Sequence, residues 1–355
     1  MNRVLPHIAQ LHGYVPGEQP QVPGLIKLNT NENPYGPPPR ALAALRDALD
    51  DRLRLYPDPT ATELRKALAA RYDFPPDQII VGNGCDDILN LCVRAFCGPG
   101  DRLAYLWPSY SLYPVLAAIQ NAQPVELPLD DQFQIPAHPA WLRQLDRVRL
   151  LFITQPNAPS GVWLPRVALQ RVIEETPGVV VIDEAYVDFA ADNCLDFARD
   201  YPNVIVARSF SKSYALAGLR IGWAVGPAEL IRALQKVKDS YNVNRLSQLA
   251  ARAALEDDVW LVDSLRRIRI TRECIHDALL AKGFFVFPSQ TNFLFARPPA
   301  PLTARRWFEA LRADYRILTR WWDADRIRDF VRISIGTDDE MNKFLEATGA
   351  ILEKA

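Results

Sequence analysis

This chain of 355 residues has no charge imbalance, no long apolar run and no paired-cysteine spacing. Lys and Arg number 41 against 42 Asp and Glu, a net charge of -1, so no global field recruits nucleic acid or an acidic membrane. No window approaches the ~20 apolar residues that cross a bilayer. The opening stretch MNRVLPHIAQLHGYVPGEQP has no secretory-type apolar region, and the expected location is the cytoplasm. The five cysteines, at 85, 92, 97, 194 and 274, are odd in number, form no CxxC and lie mostly in apolar segments, which suits a reducing compartment. The four histidines, His7, His12, His138 and His276, are scattered without ligand spacing, so no metal site is expected. GxGxxG and the P-loop lysine are both missing, which counts against dinucleotide and nucleotide binding.

What is present is ordinary globular composition: 49% hydrophobic and 23% charged residues, with 29 prolines marking many constrained loops. At about 150 residues per unit the length suggests two compact bodies. Residues 1–40 are rich in Pro, Gly and Asn and read as an extended arm with one short helix near its start. From about 79 to 240 short apolar runs alternate with helical patterns. IIVG, RLAYL, RLLFIT, VVVID, VIVARS and IGWAV are the runs, and helices are expected from Asp86 to Phe96, from Ser109 and from Arg166. Runs so short and so apolar suit strands covered on both faces, as in a mostly parallel sheet of the α/β class. Beyond about 245, a long helical pattern gives way to FFVFP, NFLFAR, RILTR and VRISIG, a mixture typical of a smaller α+β unit.

Four short segments could carry chemistry. In SFSKSYALAGLRIGWAV (209–225) Lys212 follows a buried run, where open α/β sheets place ligands, and its amine is suited to Schiff-base chemistry. An isolated lysine is usually a solvated loop residue. Here Ser209, Ser211 and Arg220 add hydroxyls and a planar five-donor cation suited to a phosphate. In VVVIDEAY, Asp183 emerges from an apolar run. It either caps the next turn or offsets its desolvation with a cationic partner such as a protonated pyridine nitrogen. VGNGCDD (81–87) is a glycine turn between strand and helix, able to hold an anion yet common in sites that bind nothing. In TQPNAPSG, Asn157 follows a strand among prolines, where a plain turn is the default. Together these groups match pyridoxal phosphate: a glycine turn and Arg220 for its phosphate, Asp183 for the ring nitrogen, Asn157 and Tyr186 for the ring oxygen, Lys212 for the aldehyde.

On those motifs the chain resembles the fold type I pyridoxal-phosphate aminotransferases, and among them the histidinol-phosphate aminotransferase branch. LNTNENPYGPPP, YPDPTATELRKALA, VGNGCDD, WPSYSLY, QPNAPSG, VIDEAYVDF, the lysine segment, SYNVNRLSQ, TNFLFAR and VRISIGT carry the resemblance nearly end to end. It implies a three-layer α/β large domain (41–245) with a seven-stranded, mostly parallel sheet, a smaller α+β domain (246–355), and an arm (1–40) packing on the small domain and on a partner subunit. A homodimer with shared active sites is implied. Lys212 would be the Schiff-base lysine and proton carrier, Asp183 the partner of the ring nitrogen, and Asn157 and Tyr186 the contacts of the ring oxygen. Gly84, Cys85, Asp86, Ser209, Ser211 and Arg220 would surround the phosphate, and Tyr110 would stack on the ring. Tyr56 would reach the partner's cofactor, and Arg332, with Tyr14 and Arg320, would meet substrate.

The chain departs from that pattern at Cys85-Asp86-Asp87, at Ala158 and in RWWDADRIRDF (320–330), where Trp321 and Trp322 are read as packing residues. The leading expectation is amino transfer between L-histidinol phosphate and 2-oxoglutarate. An aromatic or broad-range aminotransferase and a decarboxylase of phosphorylated amino acids stand as alternatives.

Overall fold

The computed structural model describes residues 3–354. Twelve strands follow in chain order: β1 Ile26–Lys27, β2 Ile79–Gly82, β3 Arg102–Trp107, β4 Gln123–Pro128, β5 Val148–Thr154 and β6 Val179–Asp183, then β7 Val204–Ser209, β8 Gly222–Val225, β9 Phe285–Val286, β10 Phe293–Arg297, β11 Ile317–Leu318 and β12 Val331–Ser334. Seven of them form the central sheet in the order β2-β8-β7-β6-β5-β3-β4, parallel throughout except for β8. The fold is α/β, with the mostly parallel sheet that the apolar runs predict.

Successive residues of a strand face opposite sides of the sheet, so each apolar strand feeds two cores. Val81, Leu151, Ile153, Val180, Ile182, Val204 and Val206 enter one, whereas Ile80, Leu150, Phe152, Val181, Ile205 and Ala207 enter the other. The helices Cys85–Phe96 and Leu112–Ile119 cover the second face, and Arg166–Glu175 packs into the first. Burial on both faces explains why these strands show no polar alternation. The edge strand β4 is different: it is mostly exposed, carries Pro124 and Pro128, and has no apolar run, so nothing in its pattern announced it.

In the C-terminal part, β12-β10-β9 form an antiparallel sheet beside the helices Asp258–Ala281, Ala304–Tyr315 and Asp338–Leu352. The arm is tied there, since β1 pairs with β11 and Leu28 is buried in this third core. Its one short helix is Pro6–Ala9. No helix among the described residues is long and apolar enough to cross a membrane.

The carboxyl ends of β5, β6 and β7 deliver Thr154, Asp183 and Ser209 to one edge of the sheet. The glycine turn before the Cys85–Phe96 helix is drawn against that edge by Gly222. A Cβ on Gly222 would sit 2.5 Å from the Cys85 amide nitrogen and 2.6 Å from the Gly84 carbonyl carbon, and both are backbone. Gly222→Ala is therefore expected to destabilise the protein by about 1–3 kcal/mol in urea unfolding. Gly218→Ala, with nothing within 4 Å of the added carbon, is expected to be near neutral.

Candidate active site

At that carboxyl edge lies a cavity of about 460 Å³ lined by Tyr14, Cys85, Asp86, Tyr110, Asp183, Tyr186, Ser209, Ser211, Lys212, Arg220, Arg320 and Arg332 among others. Residues separated by more than 300 positions thus share one hollow. A second hollow of about 490 Å³ at the amino ends of β3 and β5 contains none of the predicted site residues.

Lys212 sits just beyond β7, and its Nζ donates to the Thr30 carbonyl at 2.8 Å. Burial, reinforced by the Arg332 charge and partly offset by Glu32 and Asp86, pushes its amine down to about 8. Glu32 is itself tied to Lys27 and Thr30 of the arm. A lysine with that titration has a substantial neutral, nucleophilic fraction near neutrality.

Asp183 ends β6 and is 4% exposed. Its Oδ2 accepts from the Tyr113 hydroxyl at 2.9 Å, and its Oδ1 from the Ala185 amide at 3.1 Å and the Cys85 thiol at 3.7 Å. Burial pushes its carboxyl up to about 6, against the lowering effect of those donors. Among the described residues no cation pairs with it.

Gly84 adopts φ +87°, and a Cβ there would lie 2.6 Å from an Arg220 nitrogen, so only glycine lets the guanidinium close over this turn. Arg220 Nη2 is 3.2 Å from Asp86 Oδ2, and its Nη1 lies 3.5 Å from Ser211 Oγ. The first turn of the 12-residue helix from Cys85, Arg220 and two serine hydroxyls form an anion cradle. Tyr110 stands edge-on to Tyr14 at 5.7 Å and donates to Asp86 at 3.2 Å. Tyr186 accepts from Asn31 Nδ2 at 3.0 Å, which leaves its own hydroxyl hydrogen free for another acceptor.

On the far wall Arg320 and Arg332 are directly opposed across an antiparallel bridge. Like charges so placed repel, so an anion between or beside them is favoured. Arg332 donates to the Asn29 carbonyl at 2.9 Å, while its Nε is buried without a partner. Both guanidiniums lie over Trp322, 5.2 and 5.1 Å from its ring centre.

Two predicted residues sit differently from the rest. Asn157 is fully buried beneath the pocket, donating to the Pro108 carbonyl and accepting from the Ser160 hydroxyl. Tyr56 is 80% exposed and stacks on Tyr241, outside this chain's own cavity. Trp321 packs as expected, against Phe308, but Trp322 forms part of the cavity wall. Sequence reading assigned Trp322 to packing and missed Tyr113, Thr154, Asn31 and Glu32. The one sequence feature of Tyr113, its three-position spacing from Tyr110 across the start of a helix, is shared by ordinary core tyrosines.

A buried carboxylate awaiting a cation, a partly neutral lysine and an anion cradle around one cavity fit pyridoxal phosphate, and together with this sheet they define a pyridoxal-phosphate-dependent transferase. The chain belongs to the class I and II aminotransferases, whose family pattern it matches over residues 23–347. It is 42% identical over 340 residues to the histidinol-phosphate aminotransferase of Rippkaea orientalis, covering 96% of each chain. It is 43% identical over 357 residues to that of Gluconacetobacter diazotrophicus, covering 98% of each. The crystal structure of histidinol-phosphate aminotransferase from Sinorhizobium meliloti in complex with pyridoxal-5'-phosphate matches it with a TM-score of 0.90 at 27% identity, covering 100% of this chain and 98% of that one.

The Lys212 environment yields a direct measurement. In cofactor-free protein, imine formation with a small test aldehyde should rise with pH through about 8. Ordinary lysines follow ~10.4. Lys212→Ala should abolish the early component, read by absorbance.

Proposed function

We propose that this enzyme transfers the amino group between L-histidinol phosphate and 2-oxoglutarate, a step of histidine biosynthesis, using pyridoxal phosphate. The observation that carries the reading is the placement of the Lys212 amine, the Asp183 carboxylate and the opposed Arg320–Arg332 pair around one cavity. The names of the relatives support the substrate, and the two guanidiniums suit an anionic substrate group.

When bound, the cofactor supplies an aldehyde and an electron-accepting ring that delocalises the electrons of the broken Cα–H bond. Lys212 would hold the aldehyde when no substrate is bound, and its Nζ, once released, would carry the proton removed from the substrate α-carbon. Asp183, ionised, would face the ring nitrogen and keep it protonated, while the Tyr186 hydroxyl, with Asn157 behind the cavity wall, would serve the ring oxygen. The cradle of Gly84, Cys85, Asp86, Ser209, Ser211 and Arg220 would anchor the phosphate, and Tyr110 would cover the ring. Arg332, with Arg320 and Tyr14, takes the substrate's phosphate or the carboxylate of glutamate.

The division of labour follows the domain reading, with 41–245 carrying the cofactor, 246–355 supplying Arg320 and Arg332, and the arm adding Tyr14. The working unit is a homodimer in which Tyr56 completes the partner's site. Tyr56 stands 80% exposed, stiffened by Tyr241, beside Leu49, Leu53 and Leu55, which are each more than half exposed; such an apolar patch suits a subunit interface. A cytoplasmic setting accords with five free cysteines, four of them buried.

kcat/KM measured with 2-oxoglutarate for histidinol phosphate, phenylalanine, tyrosine and phosphoserine tests the substrate. Histidinol phosphate should be preferred by at least about tenfold, and a preference for phenylalanine would replace this reading with an aromatic aminotransferase. Arg332→Gln should cut kcat/KM for the phosphorylated substrate about 10²-fold, since a buried charged contact to an anion is lost. Asp183→Asn should lower kcat about 10²–10³-fold while the protein still takes up cofactor, as followed by its visible absorbance.

A further inference from the structure

The Asp183 carboxylate is not held by chance neighbours. Tyr113, in the first turn of the helix Leu112–Ile119, is fully buried, and its hydroxyl lies 2.9 Å from Asp183 Oδ2 and 2.7 Å from Thr154 Oγ1. Thr154 Oγ1 in turn lies 3.0 Å from Ser109 Oγ. A phenol has one proton, and the carboxylate can only accept it, so the directions are set: Ser109 donates to Thr154, Thr154 to Tyr113, and Tyr113 to Asp183. Each bond in such a buried chain polarises the next, which strengthens the last one. The Tyr113 ring is held as firmly as its hydroxyl. It stacks on Phe152 at 4.8 Å and meets Tyr110 edge-on at 5.6 Å, so one side chain braces both the carboxylate and the aromatic wall of the cavity.

We propose that Tyr113 is a positioning residue for amino transfer: backed by Thr154 and Ser109, its hydroxyl fixes the orientation and the charge state of Asp183. This rests on the functional reading above, in which Asp183 faces the ring nitrogen. The titratable groups around Asp183 are Cys85 and Asp86 at the start of the Cys85–Phe96 helix, Tyr113 on its own helix, and Tyr186 in the turn beyond β6. Asp86 opposes ionisation of Asp183, and Tyr113, Cys85 and the Ala185 amide favour it. Burial and the neighbouring carboxylate push both the Tyr113 phenol and the Cys85 thiol far upward, so each remains a donor wherever the enzyme works. Of these donors, Tyr113 makes the shortest bond to the carboxylate.

Tyr113→Phe keeps the ring and removes one hydroxyl. Asp183 already titrates above its unfolded value of 3.8, at about 6, so its ionisation destabilises the fold, a loss that grows as pH rises through that window. Without the Tyr113 donor the folded carboxyl moves higher still. In cofactor-free protein the Tm difference between wild type and Tyr113→Phe should therefore be small at pH 5 and widen toward pH 8, and in an Asp183→Asn background it should not vary with pH. Thr154→Val should act in the same direction with a smaller gap. In the loaded enzyme kcat should fall about threefold to tenfold, with KM changed less than about twofold. A Tm gap constant with pH, or one that still widens in the Asp183→Asn background, or an unchanged kcat would reduce Tyr113 to a packing residue and overturn the proposal. The two readings fail separately. Wild-type protein that takes up no pyridoxal phosphate would overturn the functional reading, while the cofactor-free Tm series would still decide whether Tyr113 governs Asp183.

Discussion

Two neighbouring acids at the end of β6 meet opposite fates, and the site follows from the difference. Glu184 is buried, yet its carboxylate is met by Arg208, with Nη2 2.8 Å away, and by the Cys194 amide, so its charge is offset within the chain. Asp183 is buried to nearly the same degree and receives only neutral donors, with Asp86 nearby to disfavour its charge. The rise from 3.8 to about 6 corresponds to about 3 kcal/mol that the folded protein forgoes when this group is ionised. A cation brought by a ligand relieves it. The sheet sustains this arrangement because it anchors Asp183 in register with Thr154 on one side and Ala207 on the other. A carboxylate on a mobile loop would turn outward to water instead.

The second organising element is the short segment from Asn29 to Asn33, which connects parts of the molecule remote in sequence. Asn31, in a left-handed backbone conformation that asparagine tolerates, donates to Tyr186, exchanges hydrogen bonds with Ser334 and receives one from Asn292. The Thr30 carbonyl accepts from Lys212, and Asn33 reaches the Ser213 carbonyl and the Ser264 hydroxyl. The arm thus links the lysine loop, the Tyr186 turn and the strand that bears Arg332. Burial of these polar groups is tolerated because nearly every one is hydrogen-bonded. Arg269 and Arg272 add to the junction by donating to the carbonyls of Asp188, Phe189 and Ala190 from the long helix Asp258–Ala281.

Legibility varied with the physics of each element. The buried strands were readable because burial on both faces demands uninterrupted apolar runs, and IIVG, VVVID and VIVARS fall within a residue of their observed limits. Edge strand β4 carried no such demand and stayed invisible. Lys212, Asp183 and Arg220 stood out because each is a charged group where an apolar run ends. Tyr113 could not be told from an ordinary core tyrosine, since its role lies in where its hydroxyl points. Trp322 was assigned to packing, yet two bridged arginines, Arg320 and Arg332, gather over it at the cavity wall.

The amino-acid order alone determined the α/β class, the alternation of strand and helix, and the chemical inventory of a lysine suited to an aldehyde, a strand-end acid, and a glycine turn and arginine suited to a phosphate. These depend on local periodicity and on residue types within a few positions of one another. Tertiary structure alone decided which of those groups share a cavity, that Asp183 lacks an internal cation while Glu184 has one, and that Arg320 opposes Arg332 over an indole. Such facts depend on contacts between segments dozens to hundreds of residues apart, and on desolvation, which is a property of the packed surroundings and not of the residue.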